Sequence, residues 1–235
     1  MELFTLLSFG DAGWGDEIAR GVLVTVTLAL ATLPFGLAIG LVVALGKNSE
    51  EPTLRSAANV YTTIFRGLPE LLTLFLVFYG VQIGFTRLLA PFTDARVELS
   101  PFLAGMIALG LVFSSYASEV FLSAFRGIPV GQYEAGRALG LRPWQTGRLV
   151  ILPQLIRLAL PGLSNLWLIL LKDTALVSVI GLSDLVRESG VAARVTREPF
   201  FFFAVACLIY LTLSILSSFA LGAIGRWSRR GEAEH

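Results

Sequence analysis

The chain has 235 residues, of which 55% are hydrophobic and only 15% are charged, and its formal net charge is +1. Soluble domains carry about a quarter charged residues, so this composition, with a mean hydropathy of +0.75, indicates a polytopic membrane protein. It excludes a broadly basic surface for nucleic acid, and the single cysteine excludes an internal disulfide; the only histidine, His235, argues against histidine-based catalysis or metal binding.

The apolar segments predict five membrane-spanning helices. A bilayer crossing takes about 20 mostly apolar residues. The stretches that reach this length lie at about 18–45, 60–85, 101–125, 158–181 and 200–224. The first of them follows no recognisable signal-peptide pattern, so we expect it to be retained as a span.

The distribution of lysine and arginine predicts the orientation, because loops rich in these residues stay in the cytoplasm. Most of the 18 basic residues fall on one side if the N-terminus is external and the C-terminus cytoplasmic. We therefore expect residues 1–17 to be an external segment, residues 18–225 to form the transmembrane domain and residues 226–235 to be a cytoplasmic tail. The long loop between spans three and four is then cytoplasmic.

The first two spans contain features that bear on helix packing. Gly36 with Gly40, and Gly80 with Gly84, form Gly-x-x-x-Gly patterns that permit close helix contact, either within the chain or between subunits. The second span is interrupted near Pro69, so its first turns should lie at the interface or within protein. There Arg66 and Glu70 stand four residues apart and are expected to pair on one helix face.

The polar loop at 129–153 carries the signals of two short helices. Residues 132–139 favour a helix, with Glu134 in its first turn, where the helix dipole stabilises a carboxylate. Gly140 is a typical helix end, and Pro143 is a typical start for a second helix. Small or apolar side chains let a partner approach the first helix closely: Ala135, Ala138 and Leu139. We interpret the loop as a docking module rather than an ordinary solvated connection.

Ionisable residues inside spans three and four are costly in lipid and usually face protein or a polar path. At a rise of about 1.5 Å per residue, Glu119 lies about 27 Å into its inward-running helix, and Lys172 and Asp173 lie about 21 Å into their outward-running helix. One interpretation is that Glu119 and Asp173 attract a cationic substrate, with Thr174 and Ser178 as hydrogen-bonding groups. Lys172 is also a candidate for the substrate path.

A second interpretation of the same residues is purely structural. Lys172 would then pair with a carboxylate inside the protein, and Glu119 would pair with Arg126 or with a partner subunit. Neighbouring residues point to different faces of a helix, so Lys172 and Asp173 should not line the same narrow path.

The loop residues form the pattern Glu-Ala-Gly-x3-Gly-x9-Val-x-Leu-Pro from Glu134 to Pro153. This pattern resembles the EAA loop of permease subunits of bacterial ABC importers, which is normally Glu-Ala-Ala-x3-Gly-x9-Ile-x-Leu-Pro. Gly136 replaces the second alanine and Val150 replaces the isoleucine, and both changes keep the position small or β-branched. Residues 65–71 with 78–80, 171–182 and 198–200 resemble further signatures of polar amino-acid permeases.

The resemblance covers about residues 18–225 and is strongest to the Q-type permeases of histidine/lysine-arginine-ornithine importers and their octopine/nopaline relatives. It implies an all-α membrane protein with the fold of type I ABC importer permeases, in which the first loop helix is a coupling helix that fits a groove on a separate ATPase. The residues that match the coupling segment are Glu134, Ala135, Gly136, Leu139 and Gly140.

The resemblance also implies that the chain lies in the bacterial inner membrane and has several partners. These are two ATPase subunits that bind ATP and Mg, a second permease subunit and a periplasmic substrate-binding protein. We expect a heterodimer with a homologous permease rather than a homodimer. The chain itself has no phosphate loop, since Gly46 and Lys47 precede asparagine and position 41 is not glycine. We therefore expect that the chain itself is not an enzyme and binds no cofactor or metal.

These features predict a permease subunit of an ATP-driven importer of cationic amino acids or opines, such as histidine, arginine, lysine, ornithine, octopine or nopaline. Another polar amino acid such as glutamine is the alternative substrate. An ion-coupled secondary transporter, with Glu119 and Asp173 as its ion-binding carboxylates, and a scaffold that anchors a cytoplasmic enzyme are rival functions.

Overall fold

The computed structural model describes residues 5–10, 13–89 and 98–229. Within these ranges the regular structure is helical, which confirms the all-α prediction. The elements are α1 (Gly15–Lys47), α2 (Pro52–Gly67), α3 (Glu70–Leu89), α4 (Pro101–Gly127), α5 (Val130–Ala138), α6 (Pro143–Thr146), a π-helical turn (Gly147–Ile151), α7 (Leu152–Asp173), a 3₁₀ segment (Thr174–Ile180), α8 (Leu185–Thr196) and α9 (Pro199–Arg229).

Four helices are long and apolar enough to cross a membrane: α1, α4, the run from Pro143 to Ile180, and α9. The bent pair of α2 and α3 makes up to a fifth. The expected external segment 1–17 and tail 226–235 are described only in part, since residues 1–4, 11–12 and 230–235 lie outside the described ranges.

The expected second span, 60–85, is not a single helix. α2 and α3 meet at a bend of 108° around Leu68 and Pro69. Proline disfavours the helical conformation of the residue before it and offers no N–H for a helix interior, which accounts for the break. The expected pair of Arg66 and Glu70 on one helix is therefore wrong, because the two residues belong to different helices.

α1 and α4 pack closely through glycines. Gly36 and Gly40 of α1 are buried, and a Cβ atom at Gly36 would lie 2.5 Å from Cδ1 of Phe113. A Cβ atom at Gly40 would lie 2.9 Å from Cβ of Ala117. The first Gly-x-x-x-Gly pattern thus serves contact within the chain.

We expect Gly40→Ala to destabilise the bundle by about 1–3 kcal/mol, the usual penalty for overpacking. The added methyl group would lie 3.0 Å from the Ser114 carbonyl oxygen as well as against Ala117. Gly225→Ala in α9 is the matched control, since no described atom lies within 4 Å of its would-be Cβ atom. The midpoint of thermal unfolding in detergent should fall for Gly40→Ala alone, and equal midpoints would contradict this packing.

The second helix of the polar loop continues into the fourth span. α6, the π-helical turn and α7 follow one another without a break, and the 3₁₀ segment extends the run to Ile180. Gly181 then ends it with φ of 99°, a left-handed conformation that glycine adopts readily. The span expected at 158–181 and the short helix expected after Pro143 are therefore parts of one element.

α8 is an amphipathic helix that the sequence analysis missed. Its mean hydropathy is too low for a membrane span. Its apolar face packs against the N-terminal end of α1. Gly21 of α1 lies against it, and a Cβ atom there would be 2.9 Å from Cα of Leu185. The small core at this end contains Ile18, Leu185, Ala192, Ala193, Phe202 and Ala206.

Candidate functional site

The first loop helix, α5, has the limits that its sequence predicts within two residues. It begins at Val130 and ends at Ala138. Gly140 follows with φ of 73°, the left-handed conformation of a helix stop. The Leu141 N–H then donates to the carbonyl oxygen of Gly136 at 3.0 Å, which closes the turn.

Gly136 is the buried residue of α5. The direction in which a side chain would extend from Gly136 leads to Thr146 of α6. A Cβ atom there would collide with Cγ2 of Thr146 and would lie 2.6 Å from its Oγ1. The loop pattern assigns Gly136 to the predicted coupling segment, next to the small and apolar residues Ala135 and Leu139. The structure instead uses it to pack the two loop helices together, and it leaves Glu134, Ala135, Leu139 and Gly140 exposed.

The outer surface of the loop carries apolar side chains in a polar segment. Leu139 is 78% exposed, and Val130, Trp144 and Leu149 are also exposed by more than half. Exposed apolar groups rimmed by polar residues are typical of protein contact sites. We call the surface formed by Val130, Glu134, Ala135, Leu139 and Trp144 the loop face.

A side-chain link joins the loop to the fourth span. Gln154 Nε2 in α7 donates to Gln132 Oε1 in α5 at 3.1 Å and to the Val150 carbonyl oxygen at 2.9 Å. Tyr133 and Val150 also pack on the main core. α5 and α7 are therefore joined by a direct side-chain hydrogen bond.

Glu119 binds two basic side chains from other helices. Its Oε1 accepts from Lys47 Nζ at 2.5 Å and from Arg66 Nη1 at 3.0 Å. The Lys47 side chain is 6% exposed, and the Arg66 guanidinium lies 5.5 Å from the ring centre of Tyr116. The expected pair with Arg126 is not the one that forms, and the charge of Glu119 is compensated within the chain.

The Glu119 cluster lies beside a cavity between α4 and α7. The cavity has a volume of about 380 Å³, and its lining includes Glu119, Gly127, Leu158 and Gly162. The last turns of α1 and α2 supply Lys47 and Arg66, where the helix dipoles favour cations. Three helices are thus joined at one carboxylate.

Asp173 and Thr174 stand where α7 changes into the 3₁₀ segment. Asp173 is half-buried and Lys172 is exposed, so the two neighbours face different surroundings as expected. Glu70, at the start of α3, and Lys172 act electrostatically on Asp173 with opposite signs, and the effect of Glu70 is the larger. Two carboxylates therefore contribute negative potential near the α2–α3 bend, and Glu70 is the one that the sequence analysis did not assign to this site.

The hydroxyl groups near Asp173 are engaged with their own helix. Thr174 Oγ1 donates to the Leu171 carbonyl oxygen at 2.7 Å, and Ser178 Oγ donates to that of Ala175 at 2.8 Å. Ser178 is half-buried, and its oxygen keeps a lone pair for a further donor. Thr174 is fully buried, so its hydroxyl is not open to a substrate. In the part of the chain that the structure describes, no ion pair within 4.0 Å involves Lys172, so the predicted internal pairing of Lys172 with a carboxylate is not observed.

Asp184 caps α8 from a fully buried position. Its Oδ1 accepts from the Arg187 N–H at 2.9 Å, whereas Oδ2 has no hydrogen-bond partner among the described residues. Burial raises the pKa of Asp184 to about 6. The hydroxyl of Ser189 is also buried without a partner there, so this end of the bundle contains uncompensated polar groups.

The raised pKa of Asp184 predicts a pH-dependent stability. The folded protein binds this proton more tightly than the unfolded chain, whose aspartate pKa is 3.8. Stability should therefore fall as the pH rises between about 4 and about 6 and stay low above this window. Asp184→Asn keeps a capping oxygen but cannot ionise. The difference in thermal midpoint between the wild type and this variant should change between pH 4.5 and pH 7; parallel profiles would refute the assignment.

Comparisons with known proteins bear on the whole chain. The family model described as binding-protein-dependent transport system inner membrane component matches residues 36–230. The nopaline transport system permease protein NocQ of Agrobacterium fabrum is 41% identical over 232 residues, which are 97% of each chain. The histidine/lysine/arginine/ornithine permease HisQ of Escherichia coli is 37% identical over 206 residues, 88% of this chain and 90% of that protein.

Two kinds of solved structure share the fold. A crystal structure of an amino acid ABC transporter with histidines superposes with a TM-score of 0.77 at 30% identity, covering 91% of this chain and 94% of that one. The inward-facing MetNI methionine ABC transporter superposes with a TM-score of 0.71 at 22% identity over 91% and 96% of the two chains. The second likeness concerns the fold alone.

Proposed function

Because the chain belongs to the family of inner membrane components of binding-protein-dependent transport systems, we propose that it is a permease subunit of an ATP-driven importer of cationic amino acids or opines. The observation that carries this proposal is the identity of 37–41% along nearly the whole chain to permeases of nopaline and of histidine, lysine, arginine and ornithine transport. Glutamine or another polar amino acid is the alternative substrate.

The loop face is the proposed contact with a separate ATPase that holds ATP and Mg. It is exposed, it carries Leu139 and Trp144 as apolar anchors, and Gln132 and Gln154 link it to the fourth span. Glu134, Ala135 and Leu139 would touch the ATPase. Gly136 and Gly140 would act indirectly, by packing and ending the helix that presents these side chains.

The proposed substrate path passes Asp173. Its carboxylate and that of Glu70 supply negative potential for a cationic side chain, and the half-buried Ser178 hydroxyl can accept a hydrogen bond from an ammonium or guanidinium group. Thr174 is fully buried, so it would support the path from within the protein without touching the substrate. Lys172 is exposed on another face, so we assign it to a contact outside the path. Glu119 has a different role in this proposal: its pairs with Lys47 and Arg66 hold three helices together.

The proposed assembly contains a second, homologous permease subunit, two ATPase subunits and a periplasmic binding protein that delivers the substrate. Exposed Gly80 and Gly84, whose would-be Cβ atoms have no atom of the described residues within 4 Å, offer a surface for close contact with the second permease. The excess of basic residues in the 129–153 loop supports an external N-terminus and a cytoplasmic C-terminus.

The test is ATP hydrolysis by the complex purified through this chain and reconstituted in lipid with its binding protein. Arginine, lysine, histidine, ornithine, octopine and glutamine would be added in turn. Stimulation by cationic ligands or opines is expected. Stimulation by glutamine alone would refute the cationic substrate, and substrate uptake that persists without any ATPase would refute the ATP-driven mechanism in favour of ion coupling.

A further inference from the structure

A cavity of about 530 Å³ lies where α8 ends and α9 begins, away from the loop face and from Asp173. It combines two arginine side chains with apolar and small residues. Its lining is Gly190, Ala193, Arg194, Arg197, Pro199 and Phe203. None of these residues has a role in the coupling or substrate sites described above.

The polar side of the cavity is strongly cationic. Arg194 in the last turn of α8 and Arg197 just beyond it are both exposed. Across the described ranges, neither guanidinium has a carboxylate within 4.0 Å. The Arg194 guanidinium folds back over Gly190, with Nη1 3.9 Å from the position of a Cβ atom there. Arginine presents a planar fork of N–H donors that suits a phosphate group.

The other side of the cavity is apolar and lies at the start of a span. Phe203 belongs to the first turns of α9 and is 45% exposed, and Phe200 beside it is 88% exposed. Only 11% of the span's apolar window is buried inside the chain, so most of its surface faces outward. Phe203 lies about one turn after Pro199, where α9 begins, so the apolar side of the cavity lies at the end of a membrane-spanning helix.

We propose that this cavity binds one anionic phospholipid, with its headgroup phosphate between Arg194 and Arg197 and an acyl chain along Phe203. The two halves of the cavity match the two parts of such a molecule in charge and polarity. An acidic surface of a soluble protein would satisfy the arginines but would not reach the apolar half, which lies along a membrane-spanning helix. Lipid is therefore the occupant that fits both halves, and this inference does not depend on the substrate of the transporter.

The test is lipid binding to the complete complex in detergent, measured by native mass spectrometry during titration with phosphatidylglycerol or phosphatidylethanolamine. The double variant Arg194→Gln with Arg197→Gln should lose about 25-fold in affinity for phosphatidylglycerol, at about fivefold for each arginine near a phosphate. Arg187→Gln is the matched control: it is an exposed arginine of the same helix, it does not line the cavity, and its variant should bind like the wild type.

Gly190→Leu fills the cavity while keeping both charges and provides a second, independent variant. It should also weaken phosphatidylglycerol binding, because the added side chain occupies the space between Arg194 and Phe203. Equal phosphatidylglycerol affinity in the wild type and the double arginine variant would overturn the proposal. So would unchanged lipid binding together with loss of stimulation by the binding protein, since the arginines would then serve a protein contact.

Discussion

Replacement of Gly136 by alanine is expected to reduce substrate-stimulated ATP hydrolysis by the assembled importer at least tenfold. The new methyl group would collide with Thr146, which is buried in the neighbouring loop helix. Overpacking of this kind costs about 1–3 kcal/mol, and here the strain is relieved by moving α5 away from its position. Insertion and the membrane core should be unaffected, because the loop lies outside the spans.

A compensating substitution makes this prediction specific. Thr146→Ala removes both Thr146 atoms that the Gly136→Ala methyl would meet most closely, and Thr146 Oγ1 has no hydrogen-bond partner among the described residues, so its loss costs little. The double variant should recover most of the hydrolysis, while Thr146→Ala alone should behave like the wild type. Normal stimulation in Gly136→Ala, with the complex intact, would show that close packing at this position is not needed for coupling.

Replacement of Glu119 by glutamine is expected to destabilise the folded chain by about 3 kcal/mol. Removing one partner of a buried ion pair typically costs about 3–5 kcal/mol, and the low end applies because Glu119 is itself 35% exposed and Arg66 46%. The main cost is the Lys47 ammonium, which would be left nearly buried without a counter-charge. The midpoint of thermal unfolding of the purified chain measures this loss.

The double variant Lys47→Met with Glu119→Gln separates a structural from a transport role. If Glu119 serves as a clamp, removing the stranded ammonium should restore much of the midpoint, and uptake should recover with it. A Glu119→Gln variant that keeps its midpoint but loses uptake of arginine more than that of glutamine would contradict the clamp. That result would instead support a role for Glu119 in attracting the cationic substrate.

Local signals in the sequence are sufficient to predict where the helices of the spans and of the loop begin and end. Gly140 and Pro143 act on their own backbone, so a helix end and a helix start could be predicted without knowledge of the rest of the chain. The apolar lengths of α1, α4 and α9 follow from the bilayer thickness in the same way. The bend at Pro69 was visible as an interruption, but its angle of 108° depends on how α2 packs against α1 and α4.

Contacts between distant residues could not be predicted in the same way. Glu119 and Lys47 are 72 positions apart, and nothing in either local sequence indicates the other as a partner. Glu70 lies four residues after Arg66, and this spacing favours an ion pair on a continuous helix. The pair does not form because one helix ends at Gly67 and the next begins at Glu70. The loop pattern indicates Gly136 as a coupling residue, which stays a prediction, whereas Thr146, the neighbour that leaves no room for a side chain there, can be found only from the packing of the two loop helices.

The continuous helical run that starts at Pro143 can act as a long rod, so that a small rotation at one end produces a larger displacement at the other. From Pro143 to Asp173 its length is about 45 Å at about 1.5 Å per residue. A rotation of about 5° about one end of such a rod displaces the other end by about 4 Å, more than the length of a hydrogen bond. A small rocking of the loop beside an ATPase would therefore reach Asp173 as a movement large enough to open or close a passage, without any relay of side chains between them.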